Sequence, residues 1–425
     1  MKTEGMIKAI EHGDLDDRLL DIYVDAGKLS YQKERYVKAI KKFESHYGAG
    51  EAELFSAPGR SEVGGNHTDH QHGEVLAASI NLDTIGVVRA TDDRQIRIIS
   101  DDYDEVVISL DDAEAKEEEK ETTKALIKGV VAGFAEGGHN IGGFCAYATS
   151  DVLIGAGLSS SAAFETLIGT ILSGLYNEMS VSAIEIAIIG QYAENVYFGK
   201  PCGLMDQMAC SVGNLVHIDF ENPKNPKVEK LDFNMSEHGY SLCITDTKGS
   251  HADLTEEYAA VPKEMKAVAN YFGKEVLRDV TYAEVVKEIA TLRNTLGDRS
   301  VMRAMHFLCE NERVTKEVKA LKTGDMNLFL ENVKASGDSS YKYLQNVYSN
   351  QDVEHQNVSV ALMMSDILLE TEGVSRVHGG GFAGTIQAFV KNDFVKTYKE
   401  QMDHIFGEGS CKDLRIRKYG GIKVL

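Results

Sequence analysis

The sequence is short of several features that define other classes of protein. Its 425 residues include only five prolines, and 45 lysines and arginines face 66 aspartates and glutamates. The formal net charge of −21 disfavours a protein whose main task is to bind nucleic acid or an anionic membrane, because neutralising phosphates requires clustered basic residues. We therefore expect neither a nucleic-acid partner nor a membrane partner. The remaining composition, 43% hydrophobic and 26% charged with 39 glycines, is typical of a globular protein.

Cysteine pairs and long apolar runs are also lacking. The six cysteines are scattered without a CxxC pair, which is typical of buried thiols in a reducing compartment rather than of a disulfide framework or a zinc site. No run reaches the roughly 18 apolar residues of a membrane-spanning helix, and the first residues contain no apolar core of signal-peptide length. These absences predict a cytoplasmic location.

The length of the chain predicts more than one domain, because a single hydrophobic core rarely serves so many residues. Apolar residues at helical spacing predict two helices before residue 48, one around Leu19 and one around Tyr36. Short β-branched runs between 84 and 110 predict antiparallel strands, residues 256–345 are rich in helical patterns, and residues 374–425 are rich in strands and glycine. We expect an N-terminal helical extension at 1–48, a first α/β domain at 49–220 and a second domain at 221–425.

The segment LIGAGLSSSAAFETLIGTILSGLY, residues 153–176, joins a glycine-rich bend to a helix. Gly155 and Gly157 permit a tight turn, and serines stand in the first helical turn. The free N–H groups and the positive dipole end of a helix N-terminus favour a phosphate chain, and serine hydroxyls there can also bind Mg²⁺. An ordinary serine-capped helix remains an alternative. The segment lacks the lysine of the GxxxxGK[ST] motif, which indicates a protein outside the P-loop enzymes.

A second polar segment, APGRSEVGGNHTDHQHGEV, covers residues 57–75. Such a density of charged, amide and imidazole groups in a glycine-rich stretch indicates a functional site. Three interpretations stay open: a sugar site in which these groups bind hydroxyls, a solvated loop, or a metal site at a spacing that matches no standard zinc pattern. The metal site would use His67, Asp69, His70 and His72.

Together these two segments resemble the sugar-binding and phosphate-loop signatures of the galactokinases, a branch of the GHMP small-molecule kinases. AENVYFGKPCGLMDQMACSVG is similar to the family stretch that carries the catalytic aspartate, and SRVHGGGFAGTIQAFV is similar to the third, C-terminal glycine motif. The similarity extends from about residue 40 to 425. Agreement at four motifs in the expected order is improbable by chance.

The resemblance implies a two-domain α/β (α+β) fold. Its N-terminal mixed-sheet domain would be of the ribosomal protein S5 domain 2-like kind, its C-terminal domain ferredoxin-like, and the active site would lie in the cleft between them. It also implies an ATP-dependent and Mg²⁺-dependent kinase that phosphorylates the anomeric hydroxyl of galactose, as a monomer or weak homodimer.

Carried onto this sequence, the resemblance implies roles for individual residues. Asp206 and Arg60 would be the catalytic pair, with Ser161 and Glu194 as ligands of Mg²⁺. The implied sugar contacts are Asn66, His67, Asp69, Gly203 and Tyr258. The implied ATP contacts are Gly155, Gly157, Leu158, Ser159, Ser160 and Ser161.

The chain departs from the family pattern at several positions, among them Glu62, Gly64, His70 and Ala383. Asn66 matters most, because the family has a glutamate there that accepts a hydrogen bond from the sugar 6-hydroxyl. An amide would no longer repel a 6-carboxylate, so a galacturonate or L-arabinose kinase stays an alternative. A non-catalytic galactose and ATP sensor and a zinc-dependent hydrolase are alternatives from other classes, although the presence of Arg60 and Asp206 favours catalysis.

Overall fold

The computed structural model describes residues 1–101, 103–112, 114–152, 157–249 and 254–425. Its α-helices are α1 (Thr3–His12), α2 (Asp16–Tyr23), α3 (Leu29–Tyr47), α4 (Thr123–Glu136), α5 (Ser160–Tyr176), α6 (Ala183–Tyr192), α7 (Met205–Val212), α8 (Thr255–Tyr271), α9 (Tyr282–Lys287), α10 (Ile289–Leu296), α11 (Asp298–Thr323), α12 (Met326–Ser339), α13 (Asn357–Leu369) and α14 (Val395–Phe406). Its strands are β1 (Glu53–Gly64), β2 (Glu74–Thr91), β3 (Gln95–Ser100), β4 (Val106–Ser109), β5 (Gly143–Ser150), β6 (Leu215–Asp219), β7 (Lys227–Leu231), β8 (Tyr240–Asp246), β9 (Gly373–Val377), β10 (Thr385–Lys391), β11 (Cys411–Leu414) and β12 (Ile422–Lys423).

The first sheet has eight strands, and its main path runs β12-β1-β2-β5-β3-β4. The long strand β2 pairs with β6 through its first residues and with β5 through its last residues, and β7 continues from β6. Among the strands of the described residues, only β3 and β5 pair in parallel, so the sheet is mixed. Strands β7 and β12 lie beyond residue 220 and still belong to this sheet. The predicted division at 48 and 220 stays a prediction.

Two helical layers cover this sheet. Apolar residues of α4, α5 and α6 pack on one face, where Val131, Leu167 and Ile189 meet the buried side chains of β1, β2, β3 and β5. The N-terminal helices pack on the other face, where Ile40 and Phe43 meet Leu54, Val87 and Tyr147. Alternating strand residues therefore serve two separate cores, as the period of two in a strand requires.

The second sheet is antiparallel, with the order β11-β8-β10-β9. Helices α13 and α14 pack against it through Ala361, Tyr398 and Met402, which are all buried. Phe389 of β10 belongs instead to the largest core cluster, which joins α11 and α12 to residues of the first sheet. Two sheets with helices on their faces confirm the predicted α/β architecture.

Two local predictions need correction. Three helices precede β1 rather than two, because α1 forms as well. Its only fully buried apolar side chains, Met6 and Ile10, are too sparse for a clear helical periodicity in the sequence. The strands predicted at 84–110 exist as part of β2 and as β3 and β4, but β5 lies between β2 and β3. Of β2, β3 and β4, only β3 and β4 are antiparallel neighbours, because pairing order depends on how the chain returns rather than on local pattern.

A buried charge cluster around Asp83 of β2 fastens the N-terminal helices to the first sheet. Arg35 of α3 and Arg417, near the chain's C-terminal end, donate to its carboxylate at 2.6 and 2.9 Å. Tyr23 donates at 2.8 Å, and Ser56 completes the set. Burial alone would raise the pKa of Asp83, but the two guanidinium groups outweigh it and the pKa lies below its ordinary value. The N-terminal helices are thus bound to the sheet by charge as well as by packing.

Two compositional features can be described in the structure. Four of the six cysteines, Cys145, Cys210, Cys243 and Cys411, are buried, and all six are free thiols. Within the described ranges, no helix has both the length and the apolar composition required to cross a bilayer.

Candidate active site

Strand β1 delivers Arg60 to the site through an irregular stretch. The pairing of β1 with β2 shifts register between Pro58 and Arg60, which turns the strand locally. Between them, Gly59 allows another segment to approach, because a Cβ there would lie only 2.8 Å from the carbonyl oxygen of Leu158. The backbone N–H of Arg60 donates to that same oxygen at 3.1 Å. The strand and the phosphate loop are therefore in direct contact beside the arginine.

Arg60 and Asp206 form an ion pair at the centre of the site. The Arg60 Nε donates to Asp206 Oδ1 at 2.7 Å, and a guanidinium N–H donates to the carbonyl oxygen of Gly157. The Ser159 hydroxyl donates to Asp206 Oδ2 at 2.5 Å. Burial alone would raise the pKa of Asp206, but Arg60 and these hydrogen bonds outweigh it and lower the pKa. Asp206, in the first turn of α7, is therefore an ionised carboxylate at neutral pH.

The helix predicted after the glycine-rich bend is α5, and its apolar residues Leu167, Ile168, Ile171 and Leu172 are buried. Ser159 precedes it at φ 58°, a left-handed conformation that a residue with a side chain adopts at a cost of about 1–2 kcal/mol. Its hydroxyl does not cap the helix but donates to Asp206 instead. Strain of this kind concentrates at functional sites. Gly155 lies in the stretch 153–156, outside the described residues, so its predicted role has no structural description.

The predicted Mg²⁺ ligands meet beside this cluster. Glu194 lies on a π-helical turn, Ala193–Phe198, a type of irregularity found often at functional sites. The Ser161 hydroxyl donates to Glu194 Oε1 at 3.4 Å, and the Lys200 ammonium lies 3.3 Å from the same oxygen. A hydroxyl and a carboxylate supply the hard oxygen donors that Mg²⁺ prefers, so this pair fits the ion.

Gln207 contacts Glu194 and Glu165 contacts Gln207, and the sequence analysis singled out neither of these two residues. Gln207 donates from Nε2 to Glu194 Oε2 at 2.8 Å and to Glu165 Oε2 at 3.1 Å. Burial and the Glu194 charge raise the pKa of Glu165 well above its ordinary value. The sequence could have indicated both residues, because Glu165 lies one helical turn after Ser161 and Gln207 directly follows Asp206.

The metal site considered for the histidine-rich segment finds no support. In the part of the chain that the structure describes, no three His, Cys, Asp or Glu side chains gather as metal ligands. His67 Nε2 instead lies 3.0 Å from the carbonyl oxygen of Gly380, and burial lowers the pKa of His70 to about 3.

Three predicted sugar contacts lie against successive carbonyls of the third glycine motif. Asn66 donates to the oxygen of Gly379 at 2.7 Å, and Tyr258 donates to that of Gly381 at 2.7 Å. The Nε2 atom of His67 lies 3.0 Å from the carbonyl oxygen of Gly380, between these two. The tyrosine ring also lies against Gly380, where a Cβ would approach it to 2.8 Å. The third glycine motif is therefore in direct contact with the segment 57–75 and with Tyr258 of α8.

Asn66 is fully buried, and protein groups occupy its amide. Besides Gly379, Nδ2 donates to Glu62 Oε1 at 3.0 Å, while Oδ1 accepts from Ser340 at 3.1 Å and from Asn346 at 2.8 Å. An amide offers two donors and two acceptor positions, and all four are used here. A sugar hydroxyl would have to displace one of these partners to bind Asn66.

Glu62, four positions before Asn66, contributes a carboxylate to this part of the site. Its carboxylate contacts the Asn66 amide and forms an ion pair of 2.6 Å with the buried Arg376. Burial raises the pKa of Glu62. Glu62 thus places a carboxylate against the amide at position 66, and Arg376 pairs with that carboxylate.

The backbone of Asn66 is held by His306, which leads to a prediction about pH. Its Nε2 lies 3.0 Å from the Asn66 carbonyl oxygen, which can only accept, and Nδ1 lies 2.8 Å from the Ser339 hydroxyl. Burial lowers the pKa of His306 from 6.5 to about 4. Between these values the unfolded chain binds a proton that the folded protein does not, so stability falls as the pH falls from 6.5 to 4.

For this one group the slope approaches 1.4 kcal/mol per pH unit. The measurement is urea unfolding at several pH values for the wild type and for His306→Gln, which does not titrate. Between pH 4 and 6.5, we expect the unfolding free energy of the variant to depend less steeply on pH than that of the wild type, by up to about 1.4 kcal/mol per pH unit. Equal slopes in the two proteins would contradict the assignment.

Asp69 and Gly203 form a further contact. A Cβ at position 203 would lie 2.1 Å from Asp69 Oδ2, so only glycine allows this approach. Burial raises the pKa of Asp69, and the nearby charge of Asp206 contributes. Both residues border an open cavity of about 480 Å³, which is also lined by His70, His72, Gln191 and Leu204.

Comparison with known proteins identifies similar sequences and similar folds. A family model described as the galactokinase galactose-binding signature matches residues 41–90, and one described as the GHMP kinases N-terminal domain matches residues 125–214. The solved galactokinase of Lactococcus lactis, in complex with galactose, superposes with a TM-score of 0.75 at 24% identity and covers 90% of this chain and 98% of its own. The mevalonate kinase of Methanococcus jannaschii superposes with a TM-score of 0.61 at 15% identity, covering 86% and 99%.

The fold and the motif-bearing loops define a GHMP kinase. Among named relatives, the galactokinase of Actinobacillus pleuropneumoniae serotype 3 is 31% identical over 359 residues, which are 84% of this chain and 90% of that protein. The galactokinase of Streptomyces coelicolor is 28% identical over 378 residues, or 88% and 94%. The chain belongs to the galactokinase family.

Proposed function

We propose that the protein transfers the γ-phosphoryl group of ATP to the anomeric hydroxyl of galactose, forming galactose 1-phosphate and ADP. The observation that carries this proposal is the cluster in which Asp206 is held by Arg60 and Ser159 at the N-terminus of α5. It combines a carboxylate, a cation and a helix N-terminus, which are the parts that phosphoryl transfer needs.

In the proposed reaction, Asp206 accepts a hydrogen bond from the anomeric hydroxyl and takes its proton. A bond forms between that oxygen and the γ-phosphorus as the bond from phosphorus to the β,γ-bridging oxygen breaks, leaving ADP. Arg60 stabilises the charge that develops on the phosphoryl oxygens. Such catalysis rests on alignment and charge stabilisation more than on covalent chemistry.

The nucleotide would lie along Gly157, Leu158, Ser159 and Ser160, with its phosphates at the N-terminus of α5. Ser161 and Glu194 would hold Mg²⁺, which when bound neutralises phosphate charge. Gln207 and Glu165 would keep the Glu194 carboxylate oriented. We further propose a cytoplasmic location and a monomer or weak homodimer.

The sugar would bind between the signature loop and the glycine motif, with Asp69 and His67 as its main polar partners. Gly203, which has no side chain, would let the sugar lie close to the backbone, and Tyr258 would offer the apolar face of its ring. The amide of Asn66 is occupied by protein groups. Its role in recognition would therefore be to hold the loop in place through its hydrogen bonds to Glu62 and Gly379.

The test is ADP release from ATP and Mg²⁺ in the presence of galactose, galacturonate, L-arabinose, N-acetylgalactosamine or glucose. We expect turnover led by galactose. Turnover led by another sugar would contradict the proposed substrate and keep the kinase class. Absence of turnover on every sugar, with galactose and ATP still bound, would indicate a sensor and overturn the proposed activity.

Gly203→Ala should impair sugar binding selectively. The added Cβ would force Asp69 to move, and a hydrogen bond to a charged group is worth roughly 1.5–3 kcal/mol, so we expect the KM for galactose to rise by about tenfold or more. Steady-state kinetics would measure it, with Gly5→Ala on α1 as a control, because a Cβ there meets only Met1 at 3.6 Å. An unchanged KM in Gly203→Ala would count against the role of Asp69.

A further inference from the structure

The N-terminal helices contact the strand end that leads into the phosphate loop. Asp151 directly follows β5, and its carboxylate accepts a hydrogen bond from the Tyr31 hydroxyl at 2.8 Å. Arg35 approaches the other carboxylate oxygen to 3.2 Å. Both partners belong to α3. The chain therefore enters the segment 153–161 from a residue that the N-terminal helices hold.

Arg35 connects this point to the first sheet. Besides the Asp83 carboxylate, it donates to the carbonyl oxygens of Asp83 at 2.8 Å and of Thr149 at 3.2 Å. The backbone N–H of Asp151 in turn donates to the Asp83 carbonyl at 2.9 Å. One guanidinium thus ties together the adjoining parts of β2 and β5, where a planar fork with several donors is well suited.

Val152, which follows Asp151, lies beside Gly59 of β1, the residue before Arg60. A Cβ at Gly59 would lie 2.9 Å from the Val152 side chain and 2.8 Å from the Leu158 carbonyl oxygen. The segment leaving β5 and the segment entering α5 therefore meet at one glycine of β1, adjacent to Arg60. Because packed segments transmit displacement, a shift at Asp151 would reach Leu158 and the backbone that Arg60 binds.

We propose that Tyr31 and Arg35 are positioning residues for nucleotide binding, acting through Asp151 on the phosphate loop. The proposal rests on the proposed function, which assigns ATP to residues 157–161. The signature match begins at residue 41, so Tyr31 and Arg35 precede it and belong to the N-terminal helices. These helices would contribute to the nucleotide site without touching the nucleotide.

The test is the dissociation constant for ATP with Mg²⁺, measured by titration calorimetry in the absence of sugar. Tyr31→Phe removes one hydroxyl from a side chain that is 49% exposed, so the fold should tolerate it. We expect ATP to bind about three- to tenfold more weakly, which is less than the full value of a hydrogen bond to a charged group because Tyr31 does not touch the nucleotide. Galactose affinity and Tm should not change. Arg35 is not substituted, because its removal would take away one of the two counter-ions of the buried Asp83 carboxylate.

Tyr47→Phe is a matched control. It also removes a hydroxyl from α3, and the Tyr47 hydroxyl donates to Glu105 at 2.9 Å, before β4 and away from the phosphate loop. ATP affinity should stay unchanged in this variant. Asp151→Ala should weaken ATP binding as well, and Tyr31→Phe should then add nothing, because the acceptor is already gone.

The outcomes separate this inference from the proposed function. A wild-type protein that binds no ATP would overturn both. A wild-type protein that binds ATP, with Tyr31→Phe binding it equally well, would overturn the positioning role alone. A parallel loss of galactose affinity or of Tm in Tyr31→Phe would also overturn it, because that result would identify a general structural role.

Discussion

Asp206→Asn should lower kcat by about a thousandfold while leaving the affinities for galactose and ATP within a few-fold of the wild type. General-base catalysis contributes roughly 10²–10⁴ in rate, and an amide cannot accept the anomeric proton. The shape of the side chain is preserved, so the oxygen at Oδ1 can still accept a hydrogen bond from Arg60. The measurement combines steady-state ADP release with calorimetric binding of each substrate.

The matched control is Asp338→Asn on α12, an exposed carboxylate whose nearest cation is Lys342 at 3.5 Å. Its kcat should equal that of the wild type. A kcat within tenfold of the wild type for Asp206→Asn would remove Asp206 from the proton transfer. Loss of galactose binding in that variant would instead assign the carboxylate to sugar recognition.

Asp83→Asn should reduce the free energy of unfolding by about 3–5 kcal/mol, because it leaves Arg417 buried without its counter-ion and Arg35 with only the partly exposed Asp151. Side chains of Asp83 and Arg417 are both 0% exposed, so water cannot replace the lost charge. Urea unfolding at neutral pH would measure the change. Because the folded-state pKa of Asp83 is lowered, its stabilisation is present above the ordinary carboxyl pKa and is lost as the pH falls through the lowered value.

Asp111→Asn is the control for this prediction. Its ion pair with Arg94 has a similar length, 2.7 Å, but both side chains are more than half exposed. Exposed pairs contribute about 0–1 kcal/mol, so the expected change is small. Equal, small changes in the two variants would show that the Asp83 cluster does not hold the N-terminal helices. Failure of Asp83→Asn to fold would agree with a large loss.

Much of the candidate site was predictable because its residues lie in short segments with strong local chemistry. The sequence predicts a helix after the glycine-rich bend, and that helix forms as α5, Ser160–Tyr176. Arg60, Asp206 and Ser159 come from three separate motifs, and the structure brings them into hydrogen-bonding contact. Their catalytic roles stay predictions until the variants are measured.

Other features of the site could not be predicted, and Asn66 is the clearest case. In the sequence it is an amide where the family has a carboxylate, which suggested a change of charge beside the sugar. In the structure Glu62 supplies a carboxylate against that amide, and residues from distant segments saturate it. Which groups surround a side chain depends on segments that meet only in the folded chain.

The sequence by itself determined the family, the α/β class and the segments that carry the chemistry, because motif spacing and hydrophobic period are local properties. The tertiary structure alone decided how those segments meet. Asn66 and Gly379 are 313 residues apart, and Tyr31 and Asp151 are 120 apart, yet each pair is joined by one hydrogen bond. Contacts of this kind arise from packing and chain return, and no local pattern of residues encodes them.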